Sequence, residues 1–203
     1  MTKQCFSAAL RYSPGKFSSE RYEKQILVPL AEYVPFEWCR SLVAGYGITE
    51  FYTHGRESKV FAGPQPISLS ICYEETFPDV MREGRIKGAE LFVNLTNDNW
   101  YPNSKLPKQH FDHARIRAVE NGTPLLRACN SGITAVINAR GELVDQLKAP
   151  EGVLFATVPQ GSFSTLYTFF GDALILGISL GFMISFFLFS RRRKKKIFET
   201  NYN

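Results

Sequence analysis

Cysteine is sparse in this chain of 203 residues: Cys5, Cys39, Cys72 and Cys129 lie far apart, and no two stand as a Cys-x-x-Cys pair. That excludes a zinc ribbon and a thioredoxin-type redox site, and four such thiols build no disulfide scaffold, so they are read as free. Histidine is scarcer, three in all; His110 and His113 share a predicted helix, but no partner set at ligand spacing accompanies them. No metal and no cofactor is therefore expected, and the two histidines read as surface or supporting groups. Residues 1–13 lack the charged-then-apolar-then-small order of a secretory signal, and no internal repeat or low-complexity linker follows. Basic charge is thin inside the fold as well. The net charge is +5, yet residues 191–196 (RRRKKK) alone supply six positive charges, which leaves the rest slightly negative. A nucleic-acid-binding face needs basic residues spread over the folded surface, so that class is excluded.

What is present is an ordinary globular composition, 44% hydrophobic and 21% charged, with the apolar share concentrated at the far end. The length suits one domain with a sizeable core plus an appendage. The stretch around which the chain is organised is Pro66-Ile67-Ser68-Leu69-Ser70-Ile71-Cys72-Tyr73-Glu74-Glu75. Ile67, Leu69 and Ile71 alternate with Ser68, Ser70 and Cys72, the period of a half-buried strand, which predicts bulky aliphatics toward the core and the thiol on the small-residue face. Thr76-Phe77-Pro78-Asp79 then carries helix-start residues. A helix start beside a thiol favours the thiolate, the reactive species. Taken alone, the stretch fits an inert buried cysteine better than a nucleophile.

Along the rest of the chain, residues 6–12 read as a strand entering a Pro14-Gly15 turn, and residues 21–35 as an irregular loop in which Lys24 would ordinarily be solvated. Residues 36–64 read as loop and short strand. A helix over 80–87 stops at Gly88, and a buried strand over 91–95 breaks into the polar loop Thr96-Asn97-Asp98-Asn99-Trp100-Tyr101-Pro102-Asn103. A helix over 107–121 follows, with Phe111, Ala114, Ala118 and Val119 on one side. Strands are predicted over 125–129, 133–139, 143–147 and 153–158, the second and third joined as a hairpin. Strand and helix in alternation, closed by several strands, imply an α/β sandwich.

Residues 166–189 carry one charge, Asp172. As a helix, the uncharged part over 173–189 would rise roughly 25 Å, and the full run crosses a hydrocarbon core of about 30 Å. The spacing predicts a transmembrane helix over 166–190, and the basic run behind it places the tail, residues 191–203, in the cytoplasm. Residues 1–163 then lie outside the cytoplasm, although no signal peptide explains how they arrived there.

Three stretches together become specific: Tyr22-Glu23-Lys24-Gln25-Ile26-Leu27-Val28-Pro29-Leu30-Ala31-Glu32-Tyr33-Val34-Pro35, then Ile71-Cys72-Tyr73-Glu74, then Asn97-Asp98-Asn99-Trp100 with Gln109-His110 and Ala114-Arg115. In order and spacing they resemble bacterial apolipoprotein N-acyltransferases, as do Pro124-Leu125-Leu126-Arg127, Asn130-Ser131-Gly132-Ile133-Thr134-Ala135 and the closing apolar helix. The resemblance implies a nitrilase-like carbon–nitrogen hydrolase domain, an αββα sandwich with a Glu-Lys-Cys triad, carried on membrane helices of the bacterial inner membrane. It makes Cys72 the nucleophile and Lys24 the triad lysine. Glu32 and Glu74 match acidic positions lining the site, where they would orient the lysine or the incoming amine, and the backbone N–H of Tyr73 would serve the oxyanion. The implied reaction moves an acyl chain from a phospholipid, through a cysteine thioester, to the α-amino group of a lipoprotein's diacylglyceryl cysteine. A small-substrate amidase or nitrilase using water as acceptor, and an inactive membrane-anchored remnant, are the competing readings.

The departure from that pattern is at the start. The family's general-base glutamate lies well upstream of the lysine, whereas only 23 residues precede Lys24, and Glu20 and Glu23 are too close to replace it. The expectation is a truncated αββα sandwich, the C-terminal portion of such an enzyme from a split, frameshifted or misannotated gene, either completed by a separate upstream fragment that carries the glutamate and further membrane helices or left as a remnant. Loss of positioned general-base catalysis lowers a rate by about 10² to 10⁴, so weak activity is expected of this chain alone.

Overall fold

The computed structural model describes residues 4–13, 15–45, 50–99, 104–149, 151–158 and 160–201, without the side chains of 13, 16–19 and 192–201. Trp100 and the remainder of its predicted loop, residues 101–103, lie outside the described residues. A hairpin opens the chain, β1 (Ala8–Ser13) antiparallel to β2 (Lys16–Glu23), turning through Gly15 at φ 78°. A short helix, α1 (Cys39–Ala44), and a two-residue strand, β3 (Val60–Phe61), follow where only loop and short strand were expected. The aromatic side chains there mask the helix, whose buried contacts come from just Cys39 and Val43.

The main sheet has six strands in the order β3, β4 (Ile67–Ile71), β5 (Leu91–Asn97), β6 (Leu125–Ser131), β7 (Ala135–Ile137), β8 (Leu143–Gln146). The pairs β4–β5 and β5–β6 are parallel and the others antiparallel, with β7 and β8 forming the predicted hairpin. Two crossover helices serve the parallel strands: α2 (Pro78–Ile86) between β4 and β5, and α3 (Leu106–Asn121) between β5 and β6. Proline in the first turn of each supplies no amide where none is needed, and Gly122 at φ 56° closes α3 in the left-handed conformation. Parallel strands put their C-terminal ends, with Cys72, Asp98 and Cys129, along one edge. One helix layer, this sheet and the hairpin β1–β2 are the layers present among the described residues, a nitrilase-type α/β arrangement shorter than a full αββα sandwich.

The core lies between helices and sheet, built from Met81, Phe92, Phe111, Ala114, Ala118, Leu125 and Ile137. Val119, expected on the same side of α3, is half exposed instead. The alternation along β4 is reversed from expectation: Ser68 (3% exposed) and Ser70 (0%) face the covered side, while Ile67, Leu69 and Ile71 are half-buried. The reason is close approach. A Cβ on Gly84 of α2 would stand 2.2 Å from Ser68 Oγ, and Asn94 Nδ2 donates to Ser70 Oγ at 3.0 Å, so only small polar side chains fit beneath the helices. Gly84→Ala is expected to destabilise the fold by about 1–3 kcal/mol through this overlap, read as a lowered denaturant midpoint; an unchanged midpoint would mean the helix shifts freely.

Two further expectations are corrected. Residues 153–158 form no strand, and with Val153 and Phe155 well exposed they have no ladder partner among the described residues. The single helix expected over 166–190 is broken: α4 (Leu166–Phe170) ends at Gly171, whose φ of 54° turns the chain, and α5 (Ala173–Asn201) starts afresh. α5 continues through the basic run expected to be a separate tail. Its stretch Ala173–Arg191 has mean hydropathy 2.2 and none of it is buried, so by length and composition it is able to cross a membrane.

Candidate active site

Cys72 directly follows β4 at the C-terminal edge of the sheet with φ 57°, a left-handed conformation that a non-glycine residue adopts only when its surroundings impose it. Those surroundings are specific. Asn94 Nδ2 donates to the Cys72 carbonyl at 2.9 Å, and a 3₁₀ turn over Cys72–Thr76 sends the chain into α2. The thiol is half-buried and free.

Glu74 fixes this turn to the loop after β2. Its carboxylate accepts the backbone N–H groups of Gln25 (2.6 Å), Ile26 (3.0 Å) and Ile71 (2.7 Å), and the Tyr22 hydroxyl at 2.9 Å. Burial raises its pKa above the ordinary carboxylate value, against the pull of those bonds, and burial likewise raises the Tyr22 phenol. With both oxygens occupied and no exposed surface, Glu74 is a strap between two backbone segments rather than a group lining an open site. Tyr73 adds a second tie, donating its hydroxyl to the Leu27 carbonyl at 2.9 Å. Its phenol is pushed up to about 12, first by burial and then by the charge of Glu32.

Lys24 follows β2 directly and is 1% exposed, contrary to the solvated loop lysine that its sequence context describes. Its Nζ donates to both oxygens of Glu32 at 2.8 and 2.7 Å and lies 5.4 Å from the centre of the Tyr73 ring. The lysine backbone is held on both sides, its N–H on Ser7 and its carbonyl on Gly55, where any Cβ would stand 2.1 Å from the Glu23 carbonyl. Leu30 at φ 65° folds the loop back so that Glu32 returns onto the lysine, and Val28 N–H anchors that carboxylate at 2.8 Å. The structure thus brings Lys24, Glu32, Tyr73 and Glu74 to the turn that carries Cys72. Glu20 and Glu23, by contrast, pair with Arg11 and Arg21 on the hairpin.

A group unrecognised from sequence stands behind the turn. Arg127, in the middle of β6 and 2% exposed, clamps Glu75 with Nε and Nη2 at 3.0 and 2.6 Å and donates Nη1 to the Ile133 carbonyl at 2.9 Å. Asp98 approaches the same guanidinium at 3.5 Å and meets His110 Nδ1 at 2.7 Å, so His110 is a buried supporting group and not a surface one. Gly132 abuts Asp98, where a Cβ would stand 2.4 Å from Oδ2. Glu75 is pushed up to about 7 by burial, against the pull of Arg127, and Asp98 stays below the ordinary value because His110 and Arg127 outweigh its burial. The available signal was an arginine inside an apolar strand run, which requires a buried partner. Cys129 nearby is pushed up to about 11 by burial and gives its S–H to the Ile133 carbonyl, the mark of an inert thiol.

A strained cysteine at a strand end, a buried ammonium with its own carboxylate beside it, and backbone amides at a turn are the parts of nucleophilic acyl chemistry: a sulfur to attack a carbonyl and a fixed cation for the developing oxyanion. Comparison with known proteins agrees in kind. The chain is 42% identical over 165 residues to an apolipoprotein N-acyltransferase of Chlamydia pneumoniae, an alignment covering 74% of this chain and 30% of that protein. It is 36% identical over 189 residues to the Chlamydia trachomatis protein of the same name, covering 86% and 35%. The chain therefore spans about a third of the length of these curated relatives. Among solved structures, a carbon-nitrogen hydrolase from Helicobacter pylori superposes with a TM-score of 0.51 at 18% identity, covering 70% of this chain and 52% of that one, which shows the fold alone. The sequence pattern of the carbon-nitrogen hydrolase family matches residues 5–166, from before the hairpin to the start of α4, and the chain belongs to that family.

Proposed function

We propose that this chain carries the cysteine-bearing portion of an apolipoprotein N-acyltransferase, taking an acyl chain from a phospholipid and passing it to the amino group of a diacylglyceryl lipoprotein. The observation that carries the reading is the buried Lys24, paired with a half-buried Glu32 and stitched to the Cys72 turn, on a domain that ends in an exposed apolar helix. In the first half-reaction Cys72 Sγ bonds to the ester carbonyl carbon, the carbon–oxygen bond breaks, and the thiol proton ends on the departing lysophospholipid hydroxyl. Lys24 and the Tyr73 N–H stabilise the oxyanion of the tetrahedral state, and Glu32 holds the lysine Nζ in position. In the second, the lipoprotein α-amine nitrogen bonds to the thioester carbonyl carbon, the carbon–sulfur bond to Cys72 breaks, an amide forms, and one amine proton returns to sulfur. A covalent intermediate shared by two substrates gives ping-pong kinetics.

In this reading α5 spans the bacterial inner membrane with residues 191–196 on the cytoplasmic side, and the catalytic domain faces the opposite compartment. Glu20 and Glu23 are engaged with arginines, so neither serves as the general base in this reading. The test is a chase: chain loaded with labelled phospholipid in detergent is mixed with a diacylglyceryl-cysteine peptide. N-acylated peptide is the expected product. Free fatty acid in its place, with turnover of small amides, would identify a hydrolase that uses water.

A further inference from the structure

The junction between the catalytic domain and the apolar helix is built more firmly than a tether requires. Arg82, on α2, donates Nε to the carbonyls of Tyr167 (3.1 Å) and Thr168 (3.0 Å) and Nη2 to that of Phe169 (2.9 Å). These are carbonyls at the C-terminal end of α4, where the Tyr167 carbonyl also receives the Gly171 N–H at 2.7 Å, and a cation there also meets the negative end of the helix dipole. Immediately beyond, a Cβ on Gly171 would lie 3.3 Å from Arg82 Nε, so the chain leaves α4 packed on the guanidinium. The other end of α4 is fixed as well. Thr165 caps the helix by accepting the Thr168 N–H at 3.0 Å, its hydroxyl donates to the Glu120 carbonyl at the end of α3, and Phe163 N–H meets the Gly122 carbonyl at 2.8 Å.

Two residues past Gly171 the exposed apolar helix begins, and α2, which holds Arg82, begins six residues past Cys72. A continuous strut thus runs from the nucleophile turn through α2 and Arg82 to α4 and the membrane-competent helix. A floppy linker would anchor the domain equally well but would leave the height and tilt of Cys72 above the bilayer undefined. We propose that Arg82 is a positioning residue that, through α4, sets the placement of Cys72 relative to the lipid surface from which the acyl chain is drawn, an inference that rests on the phospholipid acyl-transfer reading above.

The full chain, wild type and Arg82→Gln, is reconstituted in phosphatidylethanolamine/phosphatidylglycerol vesicles. Acylation of Cys72 is measured there and, separately, in detergent with a water-soluble butyrate ester. The glutamine variant should react with the soluble ester within about twofold of wild type and lose at least tenfold with vesicle phospholipid, Arg82→Lys falling between. Equal losses on both substrates, or none on either, would overturn the proposal, since a merely structural arginine affects both alike. Energy transfer from a donor dye on Cys72, with the other cysteines replaced by serine, to headgroup-labelled lipid reads the geometry without any chemistry. A broadened or shifted distance in Arg82→Gln is expected and an unchanged one overturns the strut. If wild type is acylated by neither substrate, the acyl-transfer reading fails and the dye distance alone decides the role of Arg82.

Discussion

Replacing Lys24 with methionine is expected to slow acylation of Cys72 by about 10² to 10³, the cost of losing one fixed electrostatic donor to a tetrahedral intermediate. Methionine keeps the unbranched stem in a space that leaves the lysine 1% exposed, so the loss reports charge more than packing. Glu32 then holds a carboxylate without its lysine partner, kept by the hydrogen bond from Val28 N–H. Glu32→Gln should therefore be milder than Lys24→Met, because it leaves the ammonium in place and only loosens its aim. Stopped-flow acylation with an activated ester separates the two; Lys24→Met reacting at the wild-type rate would remove the lysine from the mechanism.

Arg127→Met is expected to cost about 3–5 kcal/mol of stability, because it leaves Glu75 and Asp98 buried without their shared cation. The effect depends on pH in a direction opposite to the usual carboxylate. Glu75 has a folded pKa of about 7 against 4.5 unfolded, so the folded state holds more protons between those values. Stability contributed by this group is full below pH 4.5 and declines as pH rises through 7. Removing Arg127, which pulls that pKa down, raises it further and extends the decline upward. Urea unfolding of Arg127→Met should show a smaller deficit at pH 5 than at pH 8, and adding Glu75→Gln should restore part of the loss at pH 8. A deficit equal at both pH values would mean that Glu75 does not titrate with folding.

How much of this was legible in the sequence follows physical range. The strand, cysteine, turn and helix of residues 67–86 were readable because alternation, a proline at a helix start and a capping glycine are local signals. The same stretch misled on which face is covered, since Ser68 and Ser70 are buried for reasons set by Gly84 and Asn94, distant in sequence. The burial of Lys24 depends on Glu32, Gly55 and the ring of Tyr73 arriving together, and no pattern within the loop announces that. Glu75 and Arg127 are 52 residues apart and meet only because β4, β5 and β6 are parallel neighbours. The break at Gly171 was hidden by uniform hydrophobicity on both sides of it, which carries length but not direction.

The central claim is that Cys72 takes an acyl group from a phospholipid. Incubating the purified chain with a defined phospholipid, then measuring the mass of the peptide containing Cys72 without reduction, tests it most directly. The predicted result is one added acyl chain on that peptide, released by neutral hydroxylamine and absent from Cys72→Ala. An unmodified Cys72 peptide in a chain that still hydrolyses a small amide would contradict it.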